Sequence, residues 1–525
     1  MQKRIIYFFS VILFLFVNGL SAQDPEMELI RKYAENSFEN GDYEFALENY
    51  LKLYENNKDD ININFRLGVC YTKTNDNKTG SIPHLEYVVS HNNFPTDAYY
   101  YLGESYMYAY RFTEAVEAFY EYKISGLNDE LLAQADRKIT MADNALQFIT
   151  VPVKVDFERL DSTVNSTMND YRPFVIDEGE RMIFSSDYRY VDELEVYISD
   201  IYITEQKNDG WEQAEFWEGN NYEHEEIVGV SPDWDNFAIY SNGDFSTHDI
   251  SFGNIKRRGI EREKKDFPTD KINKRDFEHG ATINKEGNVI YFASNRPGGF
   301  GGFDIYKIVK DDDDNWGEPE NLGAAINTEY DENFPSFSQD EQTLYFSTKG
   351  HASIGGYDLF QANYNAEEDK WAGVRTLGVP INTPYDEMGI SFEEDGKVGY
   401  IAANRNEGFG KMDIYKVSID QDATPTIISG SLMVGTEGNA VPYSDEYNKV
   451  FVTLYDNFGN VYSRYEAQEG GTFFATIPPG EYTLEIYIDG SDYKYTEDMK
   501  IIDTGEDQTL PETYFIRPQN LNCSS

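Results

Sequence analysis

Apolar positions recur with two different periods along this chain. Between residues 24 and 149 the period is helical. Tyr43, Ala46, Leu47, Tyr50, Leu51 and Tyr54 keep the i, i+3, i+4, i+7 spacing that lays one stripe along a helix. Met27, Ile30, Ala34 and Phe38 do the same one helix earlier, with Gly41-Asp42 as the break. Leu132, Ala135, Ile139, Ala142 and Leu146 mark a last helix. From Val151 the period falls to two, in short runs such as Val289-Ile290-Tyr291-Phe292-Ala293-Ser294 and Leu344-Tyr345-Phe346-Ser347. Beyond Gln421 the alternation continues in different company. Val450, Val452 and Leu454 form one apolar face and Tyr482, Leu484, Ile486 and Ile488 another, with turns at Asn457 to Asn460, Gly470-Gly471 and Pro478-Pro479-Gly480. These periods predict helices over 24–149, strands over 151–420, a small all-β domain over 426–516 and a tail over 517–525.

Within 151–420 the strands come in repeats. Gly301-Gly302-Phe303-Asp304-Ile305-Tyr306 returns as Gly355-Gly356-Tyr357-Asp358-Leu359-Phe360 and as Gly410-Lys411-Met412-Asp413-Ile414-Tyr415, with fainter copies around Asp200 and Asp249. The five aspartates lie 49, 55, 54 and 55 residues apart. The best copies have four parts: an Asn leading to an aromatic and an acid (Asn327-Thr328-Glu329-Tyr330-Asp331, Asn382-Thr383-Pro384-Tyr385-Asp386), a β run, the Gly-Gly-x-Asp element, and a Trp (Trp211, Trp316, Trp371) before an outer strand. A period of this length predicts a five-bladed β-propeller, one blade per repeat. The glycines are expected to supply positive φ, and the Asp to bond local backbone. The fifth repeat has no outer strand before Gln421, whereas Val153 to Leu160 is a strand with no blade upstream. Leu160 precedes Asn165 by five residues, as Leu322 precedes Asn327 and Leu377 precedes Asn382. Val153 to Leu160 is therefore predicted to pair with Asp413 to Val417 and seal the ring, removing two open edges. The second repeat has no Trp and carries Lys256-Arg257-Arg258, Arg262, Lys264 and Lys265. That set reads as a solvated loop, or alternatively as a docking point for an acidic partner.

Charge narrows the partners. The 44 basic and 94 acidic residues give a net charge of −50, a field that repels phosphate backbones and anionic lipid, so nucleic acid is not an expected partner. Residues 1–22 read as a signal peptide: Lys3 and Arg4, the 13-residue apolar run Ile5 to Val17, then Gly19-Leu20-Ser21-Ala22. No other run is apolar enough for a transmembrane helix, so the mature chain is expected to be exported and soluble. Of two cysteines, Cys70 reads as a core thiol and Cys523 as a tail thiol.

Candidate chemistry is sparse. The six histidines, His84, His91, His224, His248, His279 and His351, form no H-E-x-x-H pair, and there is no Cys-x-x-Cys, nucleophile elbow or phosphate loop. Asp311 to Asp314 lacks the spaced oxygen ligands of a calcium loop and reads as a hairpin tip. His224, His248, His279 and His351 all fall in propeller connections, where a central pocket would gather them or where they lie scattered on the surface. No catalytic residue, cofactor or metal is expected, and the chain is read as a non-enzyme.

Three resemblances add to this. Leu102-Gly103-x-x-Tyr106 with Ala115, Phe119 and Tyr122 resembles a tetratricopeptide repeat; Ala34 with Ala46 and Tyr50 fits a preceding copy, and Leu67-Gly68-x-x-Tyr71 starts a degenerate middle one. The resemblance implies a three-repeat domain that binds an extended peptide or helix. Tyr100, Glu104, Met107 and Tyr108 are where the third repeat would present side chains, or else where it packs on neighbouring helices. Gly471-x-Phe473-x-x-x-Ile477-Pro478-Pro479-Gly480-x-Tyr482 looks like the carboxypeptidase regulatory-like sandwich, an accessory module that implies no peptidase. The expected fold class is thus multidomain: α-helical tetratricopeptide repeats, a five-bladed TolB/WD-repeat-like β-propeller and a small β-sandwich. That order is similar to a group of exported Bacteroidota envelope proteins, one of them the periplasmic lipoprotein linking type IX secretion and gliding machinery to the cell wall. Those usually end in an OmpA-like peptidoglycan-binding domain. Here no lipobox Cys follows the signal and no OmpA-like domain precedes Ser525. The resemblance implies a periplasmic, outer-membrane-associated scaffold whose partners are envelope proteins such as outer-membrane secretion or gliding components. The alternatives are a propeller hydrolase or lyase acting on glycan or peptide, and a module binding a cell-surface polymer.

Overall fold

A computed structural model of the chain describes residues 25–74, 77–150, 152–176, 179–191, 196–207, 210–220, 224–241, 249–256, 259–262, 267–274, 276–367, 369–393, 396–405, 408–419, 426–436, 438–444, 449–457, 459, 461–467, 471–477, 480–489, 493–502 and 508–517. The signal segment, His248, Cys523 and the side chains of the basic set in the second repeat lie outside these residues. The chain divides into two compact units, Met1–Ala98 and Tyr99–Ser525, so the helical stretch read as 24–149 contributes to both.

The first unit contains α1 (Pro25–Glu39), α2 (Tyr43–Asn56), α3 (Ile61–Lys73) and α4 (Ser81–Val89). Asp42 and Asp60 cap α2 and α3 by accepting from the amides of Phe45 and of Asn62 and Ile63. Ala34, Ala46, Tyr50, Leu67 and Cys70 share one core. Burial pushes the Cys70 thiol up to about 12, so it behaves there as an apolar side chain. Gly68 explains the small-residue signal: a Cβ there would lie 2.4 Å from Leu85 Cγ, so α3 and α4 approach only because it is absent.

The second unit opens with α5 (Ala98–Tyr108), α6 (Phe112–Ser125) and α7 (Asp129–Phe148). Gly103 repeats the Gly68 device, since its Cβ would meet the Phe119 ring at 2.7 Å. Five antiparallel sheets follow. Their first strands are Asp170–Ile176, Glu225–Val230, Glu278–Ile283, Glu332–Phe337 and Glu387–Phe392. In each sheet the repeat aspartate lies in the third strand, and it is the opening residue of Asp249–Lys256, Asp304–Val309, Asp358–Asn365 and Asp413–Ile419. The first strands touch one another in the order 170–176, 225–230, 278–283, 332–337, 387–392 and back to 170–176, and 225–230 also touches 332–337. Val155–Arg159 completes the last sheet. It pairs antiparallel with Asp413–Ile419 in the register Val155↔Ile419, Phe157↔Val417 and Arg159↔Tyr415, as its position in the repeat predicts.

Two further four-stranded sheets complete the unit. One joins Val441–Pro442, Thr426–Val434, Thr472–Ile477 and Gln508–Ile516; the other runs Val461–Glu466, Val450–Tyr455, Gly480–Ile488, Lys494–Ile501. They share a core that includes Leu432, Val452, Leu454, Leu484 and Ile486. The alternation at 450–455 and 480–488 marks two neighbouring strands of one sheet, Val452 opposite Ile486. The pairing of Thr426–Val434 with Gln508–Ile516 is parallel and joins segments about eighty residues apart, which no local turn announces.

Candidate functional site

The repeat motif builds a frame. In every repeat an Asn clamps both backbone groups of the residue after the repeat aspartate. Asn327 Oδ1 accepts the Ile305 amide at 2.8 Å and its Nδ2 donates to the Ile305 carbonyl at 2.9 Å. Asn382 does this to Leu359, Asn165 to Ile414, Asn273 to Ile250 and Asn220 to Ile201. The repeat aspartates bond local backbone as expected: Asp304 accepts from Phe300 and Gly301, Asp358 from Ile354 and Gly355, Asp413 from Phe409 and Gly410. The glycines work differently from expectation. Gly301, Gly355 and Gly410 do not have positive φ. A Cβ on them would sit 2.2, 2.2 and 2.0 Å from the carbonyl oxygens of Tyr330, Thr383 and Met168, so they permit close approach to the next repeat.

On this frame the five first strands carry equivalent bulges, with register shifts between Tyr171 and Phe174, Ile227 and Gly229, Glu278 and Ala281, Asn333 and Ser336, and Glu387 and Ile390. Buried acids stand just before them: Asp170, Glu225, Glu278, Glu332 and Glu387. Glu332 and Glu387 accept from the backbone and hydroxyl of Thr328 and Thr383. The next positions hold Tyr171, Glu226, His279, Asn333 and Met388, and here side chains from different repeats meet.

Arg172, at φ 54° on its bulge, is 4% exposed. Its Nη1 lies 3.0 Å from Glu226 Oε2 and its Nη2 lies 2.9 Å from His279 Nε2. Its guanidinium sits 5.0 Å from the centre of the Phe334 ring. Glu226 Oε1 accepts from Tyr171 Oη at 3.0 Å and lies 3.1 Å from His224 Nε2. The Ser199 amide donates to His224 Nδ1 at 3.2 Å, so the His224 proton belongs on Nε2, facing Glu226. Burial alone would raise the Glu226 carboxyl, but Arg172, His224 and His279 outweigh it and hold the group well below the usual carboxylate range. His279 meets donors on both ring nitrogens, Arg172 at Nε2 and Asn333 Nδ2 at Nδ1, 2.9 Å away. Asn333 Oδ1 accepts the Phe334 amide at 2.8 Å, which fixes the orientation of its amide.

Of the propeller histidines, His224 and His279 therefore converge with Glu226. His351 does not. Its Nε2 lies 2.8 Å from the Ile326 carbonyl, the place taken by Arg296 at Ile272 and by Arg405 at Ile381. Among the described residues no group of three or more His, Cys, Asp or Glu is placed to hold a metal.

The four residues expected to face a peptide are turned inward. Tyr100 donates to Gln134 Oε1 at 2.9 Å and its ring packs on Phe119 and Tyr122; Glu104 pairs with Lys138 at 3.0 Å; Met107 is buried; the Tyr108 ring lies 5.0 Å from that of Tyr385. Burial pushes the Tyr100 and Tyr108 phenols up. One contact of the helices with the sheets was missed by sequence reasoning. Arg137 on α7 donates through Nη2 to the carbonyls of Lys349 (2.7 Å) and Gly350 (3.1 Å) and to Ser353 Oγ (2.7 Å), and through Nη1 to the His351 carbonyl (3.3 Å). The guanidinium also covers the Tyr330 ring at 4.6 Å, and Asn144 donates to the Ser353 carbonyl. Arg111 reaches Asp489, and Tyr462 donates to the Val153 carbonyl at 2.9 Å, tying in the last sheets. Arg172 had one faint signal, the x-Pro within the bulge in both Arg172-Pro173 and Phe334-Pro335.

No family model and no curated protein matches the chain. Solved structures do. PcrH in complex with the chaperone-binding region of PopD is 14% identical, with 24% of this chain and 97% of that one covered and a TM-score of 0.21. The first tetratricopeptide domain of Spaghetti (RPAP3) bound to an HSP90 peptide is 17% identical over 25% and 99%, at 0.21. The Penicillium chrysogenum α-L-arabinanase complexed with arabinobiose is 10% identical over 51% and 98%, at 0.29. The chain's own elements are a helical region, α1 to α7, followed by a large region of antiparallel sheets.

Proposed function

We propose that this chain is a non-enzymatic scaffold of the cell envelope, in which tetratricopeptide repeats, a five-bladed propeller and a regulatory-like sandwich present surfaces to other envelope proteins. The cycle of neighbouring first strands and the strand exchange at Val155–Arg159 support the propeller reading. The observation that carries the scaffold reading is the Arg137 clamp. A half-buried guanidinium spent on three backbone carbonyls, a hydroxyl and a ring fixes the last helix, α7, to the sheets, and rigid relative placement is what simultaneous binding of several partners requires. Partners are envelope proteins, with outer-membrane secretion or gliding components first among them, and the location is the periplasm at the outer membrane.

Cross-linking in cells, followed by identification of what is captured, tests this. A recurrent set of envelope proteins is expected with the wild-type chain and a depleted set with Arg137→Ala; a chain that captures nothing beyond itself overturns the reading. The contact of His224 Nε2 with Glu226 favours a second reading, a glycan- or peptide-acting hydrolase or lyase. Turnover abolished by His224→Ala would establish it.

A further inference from the structure

The polar cluster at the convergence of the first strands has matched charges and unmatched hydrogen bonds. Arg172 and Glu226 neutralise each other across 3.0 Å. The chain as a whole carries a net charge of −50, so an anion would approach against a repulsive field. The hydrogen bonds balance less well. A neutral imidazole accepts at one nitrogen, yet His279 faces two donors, Arg172 Nη2 and Asn333 Nδ2. In either tautomer the protonated ring nitrogen faces a donor, so one of these two contacts is unmatched. Arg172 Nε is buried and also has no partner among the described residues. The cavity that Arg172 lines with Phe174, Phe334 and Gly389 measures about 10 Å³, room for a single water and nothing larger.

A ligand must therefore meet the cluster from the His279 side. His279 is half-buried there beside the half-buried Phe303, ring centres 5.9 Å apart, with Phe334 at 5.4 Å. Tyr357 flanks Phe334 at 5.5 Å. A hydroxyl oxygen has two lone pairs and one proton. Placed where the His279 ring now sits, it would accept from Arg172 and from Asn333 together, which the imidazole cannot do. Half-buried aromatic rings beside fixed polar groups suit the apolar face and hydroxyl edge of a sugar ring.

We propose that this cluster is a binding site for a neutral saccharide, one hydroxyl of which displaces the His279 ring from between Arg172 and Asn333 while Phe303 stacks on the sugar. The inference is independent of the scaffold reading: protein capture in cells and saccharide affinity of the purified chain are separate measurements.

The test titrates the full chain with cellobiose, chitobiose and digalacturonic acid, read by calorimetry and saturation-transfer NMR. At least one neutral disaccharide is expected to bind, and digalacturonic acid to bind at least tenfold more weakly. Phe303→Ala should weaken the neutral ligand about tenfold. His279→Ala should tighten it severalfold, because the competing ring is gone; loss of a merely structural residue would weaken it. Exposed Tyr190, replaced by Ala, serves as the unchanged control. Preference for the acidic sugar, no binding of either neutral one at about 10 mM (about 2.7 kcal/mol), or weakening by His279→Ala in a protein with wild-type circular dichroism would overturn the proposal.

Discussion

Asn327, in a connection, satisfies two buried backbone groups of the strand Asp304–Val309 with one side chain, and its four counterparts repeat the arrangement. Asn327→Ala strands the amide and carbonyl of Ile305, at a cost of about 2–4 kcal/mol. A drop of that size in unfolding free energy, read from urea titration, is expected, and a change below about 0.5 kcal/mol would show that water replaces the clamp. Asp170 carries the pH prediction. Burial pushes its carboxyl from 3.8 up to about 6, against the hydrogen bonds from Ser186 and Ser166 that pull it down. The folded state therefore holds this proton more tightly than the unfolded chain does. Its contribution to stability is complete below about pH 3.8 and is lost as pH rises through about 6. Asp170→Asn removes that loss, so the variant should show a flatter stability profile than wild type between about pH 4 and 6, with a relative gain of about 3 kcal/mol at neutral pH. Equal slopes would show that Asp170 ionises without penalty.

The strand Val155–Arg159 takes the outer place in a sheet whose other three strands lie more than two hundred residues away. Phe157 holds it there: the ring is 7% exposed, shares a core with Ile401, Tyr415 and Val417, and carries the Arg405 guanidinium 4.0 Å above it. Phe157→Ala should destabilise the second unit by about 3 kcal/mol and expose the edge of Asp413–Ile419. Hydrogen exchange that becomes faster across 413–419 while 304–309 stays protected would be the signature; uniform protection would mean that the strand is dispensable. Its pairing was legible because Leu160 and Asn165 keep the spacing of Leu322 and Asn327. The parallel pairing of 426–434 with 508–516 was not, because it depends on no local turn. The glycines mark the same boundary. Their positions were readable as repeats, but their cause, a carbonyl of the next repeat about 2 Å from any Cβ, is a distance between segments.

At the scale of the whole molecule, a net charge of −50 sets repulsion against the compact state. Raising sodium chloride from about 20 mM to about 500 mM shortens the screening length to a few ångströms and should raise the thermal midpoint; a midpoint that falls would place the dominant electrostatics in attractive surface pairs such as Lys271–Glu318 and Lys500–Glu481. By itself the sequence determined the number and phase of the repeats, the helix and strand periods, and which segment supplies the last sheet's missing strand, because each is written in spacings along the chain. Only the tertiary structure decided that Tyr100, Glu104, Met107 and Tyr108 point inward, that Arg137 locks α7 onto the 349–353 loop, and that Arg172, Glu226, His224 and His279 meet. Those outcomes depend on which residues of separate repeats arrive within about 3 Å of each other, and periodicity carries no information about partners so distant in sequence.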